Sequence, residues 1–179
     1  MKVGGPLVLV SSALALAACG FHPLYGELNG KPGAASHFTQ VYVPPIELEN
    51  AGYEVRNDLL DLTQAKSQPA GTLYDFRIVL RDRNQDIAVQ NTQVGAVKEV
   101  EITRYNYTLI ANYQLVDRKT QKVLAKGTES SLSAYDVVAN PYATLTAQQD
   151  AQAHTARDIA QRLQLRLALF FAQGQDASR

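Results

Sequence analysis

The chain contains 179 residues, with 17 basic and 17 acidic side chains, a single cysteine, and 46% hydrophobic residues. A chain of this length buries enough apolar surface to fold as one domain without disulfides or a structural metal. The single cysteine excludes an internal disulfide and a metal site built from several thiolates. The balanced charge argues against nucleic acid as a partner, because nucleic-acid binding requires a basic surface.

Residues 1–18 predict a secretory signal peptide rather than a part of the fold. Lys2 is the only charged residue before Glu27, and the run from Leu7 to Ala18 is apolar apart from two serines. A positive start, a short apolar run and a small-residue end are typical of such signals. A short transmembrane anchor is the alternative, but a spanning helix needs ~20 apolar residues, and residues 4–6, Gly-Gly-Pro, weaken a helix.

The end of this segment predicts a lipid anchor at Cys19. The sequence Leu16-Ala17-Ala18-Cys19 matches the lipobox of bacterial lipoproteins, in which the cysteine thiol is acylated and a peptidase cleaves just before it, here between Ala18 and Cys19. Several acyl chains on one cysteine form a stable anchor, since each buried CH₂ contributes ~0.8 kcal/mol. A buried structural cysteine is the alternative. Gly20 stands where an aspartate would retain a lipoprotein in the inner membrane, so we expect an outer-membrane location.

The next part of the chain predicts a tether, a strand and a helix. Residues 19–37 are rich in glycine and proline, as expected of a tether. Phe38–Val43 alternates and is rich in β-forming residues, so it is predicted to be the first strand, ended by Pro44-Pro45. A helix is expected from Asn50, its N-cap, to Ala65. Its apolar face would consist of Val55, Leu59 and Leu62.

Two long strands are predicted to follow. Leu73–Asn84 places apolar side chains on one face and mostly charged side chains on the other. Val97–Val116 also alternates but changes phase, which predicts a bulge near Thr103-Arg104. The polar segment Asp86–Gly95 between them is predicted to be a turn. The aromatic ladder of the second run can line the core or form a stacking platform, and the core is the commoner role; it consists of Tyr105, Tyr107 and Tyr113.

The last elements complete the predicted fold. Val123–Tyr135 is rich in serine and threonine and is predicted to be an edge strand. A long helix is expected from Asn140-Pro141, or from Thr146, to about Gln173. The predicted fold class is therefore α+β, a four-stranded, mostly antiparallel sheet with two helices packed on one face. The order is strand-helix-strand-strand-strand-helix, in a single domain over residues 38–179.

No catalytic motif is evident. The sequence lacks a nucleophile elbow, a P-loop, a dinucleotide fingerprint and a zinc-protease motif, so we predict a protein that is not an enzyme and has no cofactor or metal. His154 shares a helix face with Asp150 and Asp158, four residues away on either side. Metal binding by this trio is the less common alternative to charge pairing on a solvated face. A lipid-anchored hydrolase with an unrecognised site is the remaining enzymatic alternative.

Basic residues on the predicted exposed sheet face are candidates for binding phosphate. A guanidinium can receive a phosphate through two parallel hydrogen bonds. The alternative is that these charges are merely solvated and protect the sheet from association. The arginines concerned are Arg77, Arg81, Arg83 and Arg104.

Three segments resemble one protein family. The octapeptide from Cys19 to Gly26, Cys-Gly-Phe-His-Pro-Leu-Tyr-Gly, is similar to the mature N-terminus of the LptE family. The segment Val55-Arg56-Asn57-Asp58-Leu59 and the step from Asn140-Pro141 into a long final helix are also similar to that family. The resemblance covers essentially the whole chain, and the predicted element order agrees with it.

The resemblance implies an outer-membrane lipoprotein that plugs the β-barrel LptD, as a heterodimer, and helps to insert lipopolysaccharide into the outer leaflet. Family members also bind lipopolysaccharide through basic residues near the turn between the second and third strands and near the start of the last helix. Asp86–Val94 and Asn140–Gln149 lack lysine and arginine, so those contacts do not transfer by position. The residues proposed instead are Arg81, Arg83, Lys98 and Arg104. The alternative function is a generic lipid-anchored periplasmic module that binds another envelope partner or lipid.

Overall fold

The computed structural model describes the backbone of residues 34–94 and 97–176, and the side chains of residues 36–87 and 103–173. Along these residues the element order confirms the predicted α+β class, with one additional short helix at the start. The elements are α1 (Ala34–Phe38), β1 (Val41–Tyr42), α2 (Glu49–Thr63), β2 (Tyr74–Val94), β3 (Val97–Asp117), β4 (Val123–Asp136) and α3 (Pro141–Asp176).

The four strands form one mixed sheet in the order β1-β2-β3-β4. β1 is parallel to β2, whereas β2, β3 and β4 are joined by antiparallel ladders. The β2–β3 ladder runs from Tyr74 opposite Asp117 to Val94 opposite Val97. β4 lies at the edge, as predicted from its serine and threonine content.

The prediction of a turn over Asp86–Gly95 is wrong, because β2 continues to Val94. This part of β2 pairs with the first residues of β3, and backbone pairing does not require an apolar face. The register between β2 and β3 shifts between the pairs Asp86–Tyr105 and Ala88–Arg104. It shifts again between Ala88–Arg104 and Val89–Ile102. The second shift leaves Thr103 unpaired with β2 and confirms the bulge predicted there.

The first strand is shorter than predicted. It comprises Val41–Tyr42, and Phe38 instead ends α1, where its ring meets that of Phe171 at a centroid distance of 6.3 Å. Helix α1 thus occupies the last residues of the segment expected to be a tether. Pro44-Pro45 is separated from the end of β1 by one residue, and neither proline has an N–H to extend the ladder along β2.

Both long helices pack on the same face of the sheet and form one hydrophobic core with it. Val55 and Leu59 of α2 are fully buried, but Leu62 is 39% exposed and Thr63 is buried in its place. The expected N-cap is also wrong, because the helix begins at Glu49 and Leu48 occupies the cap position without a side-chain hydrogen bond. The fully buried side chains of the core include Phe76, Tyr107, Leu109, Ile159 and Leu163.

Helix α3 begins at the predicted position and ends three residues later than predicted, at Asp176. The Asn140 side-chain oxygen accepts a hydrogen bond from the backbone N–H of Tyr142, at 3.0 Å, and so caps the helix. Tyr107 and Tyr113 of the predicted ladder are buried beneath the helices, which confirms the core role. Among the described helices, none combines the length and the apolarity that a membrane-spanning helix requires.

Candidate functional site

Strand alternation gives the sheet two faces of opposite character. In β2, Phe76, Ile78 and Leu80 are buried beneath the helices, whereas Arg77 and Arg81 are exposed on the other side. We call this second side the open face; it consists of the side chains of β2, β3 and β4 that point away from α2 and α3. No described helix packs on the open face, so its exposed side chains are available to a ligand.

Arg81 and Arg83 are neighbours on the open face and are available to an anion. Both are exposed, and within the described residues neither makes a hydrogen bond or an ion pair. They lie two residues apart on one strand, so their Cα atoms are ~7 Å apart. Their partners across β3 are the uncharged residues Ile110 and Thr108. Two guanidinium groups in this arrangement can hold two phosphates or one phosphate from two sides.

An apolar diagonal crosses the open face beside these arginines. It consists of Val79 on β2, Ile110 on β3 and Leu132 on β4, of which Val79 and Leu132 are each 58% exposed. Ile110 lies opposite Arg81, two residues beyond Val79. Leu132 lies opposite Thr108, which is a further two residues along the sheet. The three apolar side chains therefore form a diagonal row across the three strands, next to the unpaired guanidinium groups of Arg81 and Arg83.

The other cations of the described open face differ in how far they are engaged. Arg77 forms an ion pair with Asp75, at 3.3 Å, and Arg104 forms one with Asp136, also at 3.3 Å. Lys126, opposite Gln114, makes no ion pair within the described residues. These cations surround the apolar diagonal, but Arg81 and Arg83 are the pair that lies directly beside it.

The four predicted lipopolysaccharide-binding residues do not form one cluster. Arg104 lies four residues along β3 from Thr108, the partner of Arg83, which corresponds to ~14 Å. Lys98 lies a further six residues along β3, opposite Gln93, and its side chain lies outside the described part of the chain. The predicted lipidation site, Cys19, and the predicted cleavage site after Ala18 also lie outside the described residues.

The open face is suited to an amphiphilic anion. The arginine pair supplies charged donors, the apolar diagonal supplies a surface for alkyl chains, and Thr128 donates a hydrogen bond to Asn112 Oδ1 at 2.8 Å beside them. Sequence reasoning missed Lys126 and the apolar diagonal. The signal for the diagonal is weak, because isolated apolar residues interrupt the polar face of each strand and their alignment depends on the register between strands.

On the face of α3 that carries His154, one carboxylate, Asp158, takes part in charge pairing along the helix. Asp158 forms an ion pair with Arg162, one helical turn away, at 3.0 Å. The hydrogen bond from Arg162 holds the pKa of Asp158 below its usual value. Within the described residues, no group of three or more side chains is placed to ligate a metal. The charge-pairing interpretation of this helix face therefore accounts for Asp158.

Comparison with solved structures shows the same fold in other bacterial proteins. A Caulobacter crescentus protein described as a lipoprotein is 22% identical, with a TM-score of 0.58, over 79% of this chain and 96% of that chain. A minor lipoprotein from Acinetobacter baumannii is 15% identical, with a TM-score of 0.51, over 73% and 91% of the two chains. Lipoprotein B from Nitrosomonas europaea is 11% identical, with a TM-score of 0.55, over 77% and 88%. At these identities the likeness concerns the fold alone.

No curated protein sequence matches the chain. A family model does match, over residues 38–167, and its description is LptE, lipopolysaccharide-assembly. That range contains the whole sheet, helix α2 and most of helix α3. The chain therefore belongs to the LptE family of lipopolysaccharide-assembly proteins.

Proposed function

We propose that the protein is an outer-membrane lipoprotein, anchored through Cys19, that plugs an LptD-like β-barrel and binds lipopolysaccharide directly. In this proposal it acts without catalysis, as a support and a ligand-binding subunit of the translocon. Membership of a lipopolysaccharide-assembly family supports a role in the assembly of lipopolysaccharide. The observation that carries the direct binding is the arginine pair, Arg81 and Arg83, beside the apolar diagonal.

The chemistry of lipopolysaccharide fits this arrangement. Its lipid A portion carries phosphates on a sugar backbone and acyl chains beside them. The phosphates would bind the guanidinium groups of Arg81 and Arg83, since charge-assisted bidentate bonds are the strongest that arginine makes. The first methylenes of the acyl chains would lie against Val79, Ile110 and Leu132. Both parts of one molecule would thus be recognised on one face of the sheet.

The outer surface of the domain is also suited to the lumen of a β-barrel. Wide outer-membrane barrels have polar interiors that another element can fill. The open face and the outer side of α3 present mostly polar and charged side chains. The predicted tether, residues 19–37, would let acyl chains on Cys19 remain in the leaflet while the domain enters the lumen.

Direct binding is tested with the full lipidated protein in mild detergent and purified lipopolysaccharide. The double variant Arg81→Glu/Arg83→Glu should bind at least tenfold more weakly than the original chain. The matched control is Lys119→Glu/Lys122→Glu, which changes the net charge equally in the exposed β3–β4 turn. Equal losses in both variants would mean that overall charge, rather than the arginine pair, determines binding.

The plug function is tested by a detergent pull-down of the tagged lipoprotein, with the partner identified by mass spectrometry. We expect a large β-barrel at a ratio near one to one. Recovery of no barrel would favour the alternative of a generic anchored module. In a parallel experiment, Cys19→Ala should release the protein from the outer-membrane fraction, and its retention there would contradict the lipid anchor.

A further inference from the structure

The outer edge of β4 offers unpaired backbone groups to a partner. Within the described residues, β4 pairs with β3 alone, and it contains no proline. The N–H of Val137 donates to the carbonyl of Thr103 at 2.9 Å, which shows that odd-numbered residues of β4 point their backbone groups toward β3. The outward backbone groups therefore belong to Lys126, Thr128, Ser130, Leu132, Ala134 and Asp136.

A groove adjoins the second half of this edge. It has a volume of about 530 Å³ and lies between residues 133–136 of β4 and the first turns of α3. Three alanines, Ala143, Ala147 and Ala151, recur every four residues along the helix side of the groove. Because their side chains are a single methyl group, space remains between the helix and the strand. We call this feature the edge groove.

The charged side chains of the edge groove are complementary to a basic guest. Its lining contains the carboxylate residue Asp150, one imidazole, His154, and neither lysine nor arginine; Asp136 borders the groove with its side chain on the open face. Asp136 is neutralised by its ion pair with Arg104. Asp150 is exposed and, in the part of the chain that the structure describes, has no hydrogen bond or ion pair. A lysine or arginine entering the groove would supply the missing countercharge.

We propose that an extended segment of the barrel partner adds to β4 as a fifth strand and places a basic side chain in the edge groove against Asp150. This inference rests on the proposed plug function. An extended segment fits because the outward groups repeat every two residues, which matches the spacing of another strand, whereas a helix pairs its own backbone groups. The opposite edge of the sheet, β1, is less suited to pairing with an added strand, because β1 is short and Pro44-Pro45 lies just after it.

The main test removes one outward N–H from β4 in the full lipidated chain co-expressed with its barrel. Ala134→Pro deletes that donor while leaving the ladder to β3 intact, because the N–H of residue 134 points outward. We expect at least a fivefold loss of barrel recovered in a detergent pull-down. The matched control, Ala134→Val, keeps the N–H and should recover the barrel at the original level.

A second substitution tests the charge and does not depend on the proline variant being folded. Asp150→Lys should also reduce barrel recovery at least fivefold, because it opposes a basic guest. Asp61→Lys makes the same change at an exposed position of α2 and should leave recovery unchanged. Full recovery with both Ala134→Pro and Asp150→Lys would overturn the edge proposal while the plug function stands.

Hydrogen exchange distinguishes a paired edge from mere proximity. In the complex, the amides of the outward residues, Thr128 to Asp136, should exchange at least tenfold more slowly than in the free lipoprotein. Unchanged exchange at these amides in a complex that contains the barrel would overturn the proposal. If the original chain recovers no barrel at all, both the plug function and this inference are wrong.

Discussion

Arg166 on the last helix donates a hydrogen bond from Nε to Oε1 of Glu129 on the edge strand, at 2.5 Å. Glu129 is 9% exposed and lies on the helix side of β4, and Arg166 is the described side chain that forms an ion pair with its carboxylate. The contact therefore joins α3 to the edge strand β4. It also holds in place the edge that we propose as a docking surface.

Loss of this contact should destabilise the domain. Arg166→Ala leaves the buried carboxylate of Glu129 unpaired, and we expect the Tm to fall by roughly 2–4 °C. The control is Lys126→Ala on the same strand, which removes an exposed cation without an ion pair in the described residues and should leave the Tm unchanged. Thermal unfolding followed by circular dichroism makes the comparison. Equal Tm values for the two variants would contradict the expectation.

A second arginine holds two loops against helix α2. Arg56 Nε donates to the carbonyls of Val43 and Pro44, each at 3.2 Å, and its Nη2 donates to the carbonyl of Ser67 at 3.3 Å. Arg56→Met keeps much of the side-chain volume but leaves these carbonyls without their donor, which should cost about 1–3 kcal/mol. Urea unfolding measures the loss. Arg56→Lys, which keeps one charged donor, should recover part of it, and equal losses would show that hydrogen bonding is not the cause.

Gly52 should resist replacement by alanine although it lies in a helix. A Cβ at this position would lie 2.4 Å from the backbone oxygen of Ile46, so the loop before α2 would have to move. Alanine normally stabilises a helix interior by about 1 kcal/mol relative to glycine. We expect Gly52→Ala to destabilise the domain by about 1–3 kcal/mol instead, since buried overpacking costs this much. A gain in stability in urea would contradict the close contact; Asn50→Ala, at an exposed position, is the control.

Tyr107 should make the domain less stable at high pH. It is 1% exposed, and burial, reinforced by the nearby carboxylate of Asp82, raises the pKa of Tyr107 to about 12 from an ordinary value of 10.0. Between these values the unfolded chain loses the phenolic proton while the folded chain keeps it. The contribution of Tyr107 to the free energy of unfolding is therefore complete below pH 10. It falls by about 1.4 kcal/mol per pH unit as the pH rises toward 12.

The measurement compares urea unfolding of the original chain and of Tyr107→Phe between pH 9 and pH 12. Burial also raises the pKa values of Tyr113 and Tyr135, so both chains should lose stability as the pH rises. The slope of the Phe variant should be shallower, because one of the contributing phenols is absent. Identical slopes would show that Tyr107 is ionised as easily in the folded state as in the unfolded state.

The sequence predicted the parts of the fold that depend on local periodicity. The alternation of Phe76, Ile78 and Leu80 with arginines is a property of consecutive residues, and it correctly separated the buried face of β2 from the open face. The phase change in β3 likewise predicted the bulge at Thr103. Arg81 and Arg83 could be placed on one exposed face for the same reason, since both lie on one strand.

Local periodicity did not determine where pairing stops. Asp86–Val94 has the polar composition of a turn, yet it pairs with the start of β3 because backbone hydrogen bonds join any two extended segments in register. At the end of α2, Thr63 rather than Leu62 is buried, because packing against the neighbouring helix and loop decides which side of the last turn is covered.

The candidate site depended both on the local sequence pattern and on the tertiary structure. The sequence by itself determined that basic side chains share one face of β2, since side chains two residues apart on a strand point the same way. Only the tertiary structure decided that Val79, Ile110 and Leu132 form a diagonal beside them and that Arg104 is paired with Asp136. The physical reason is that the register between strands is set by contacts among residues far apart in the chain, which no local pattern contains.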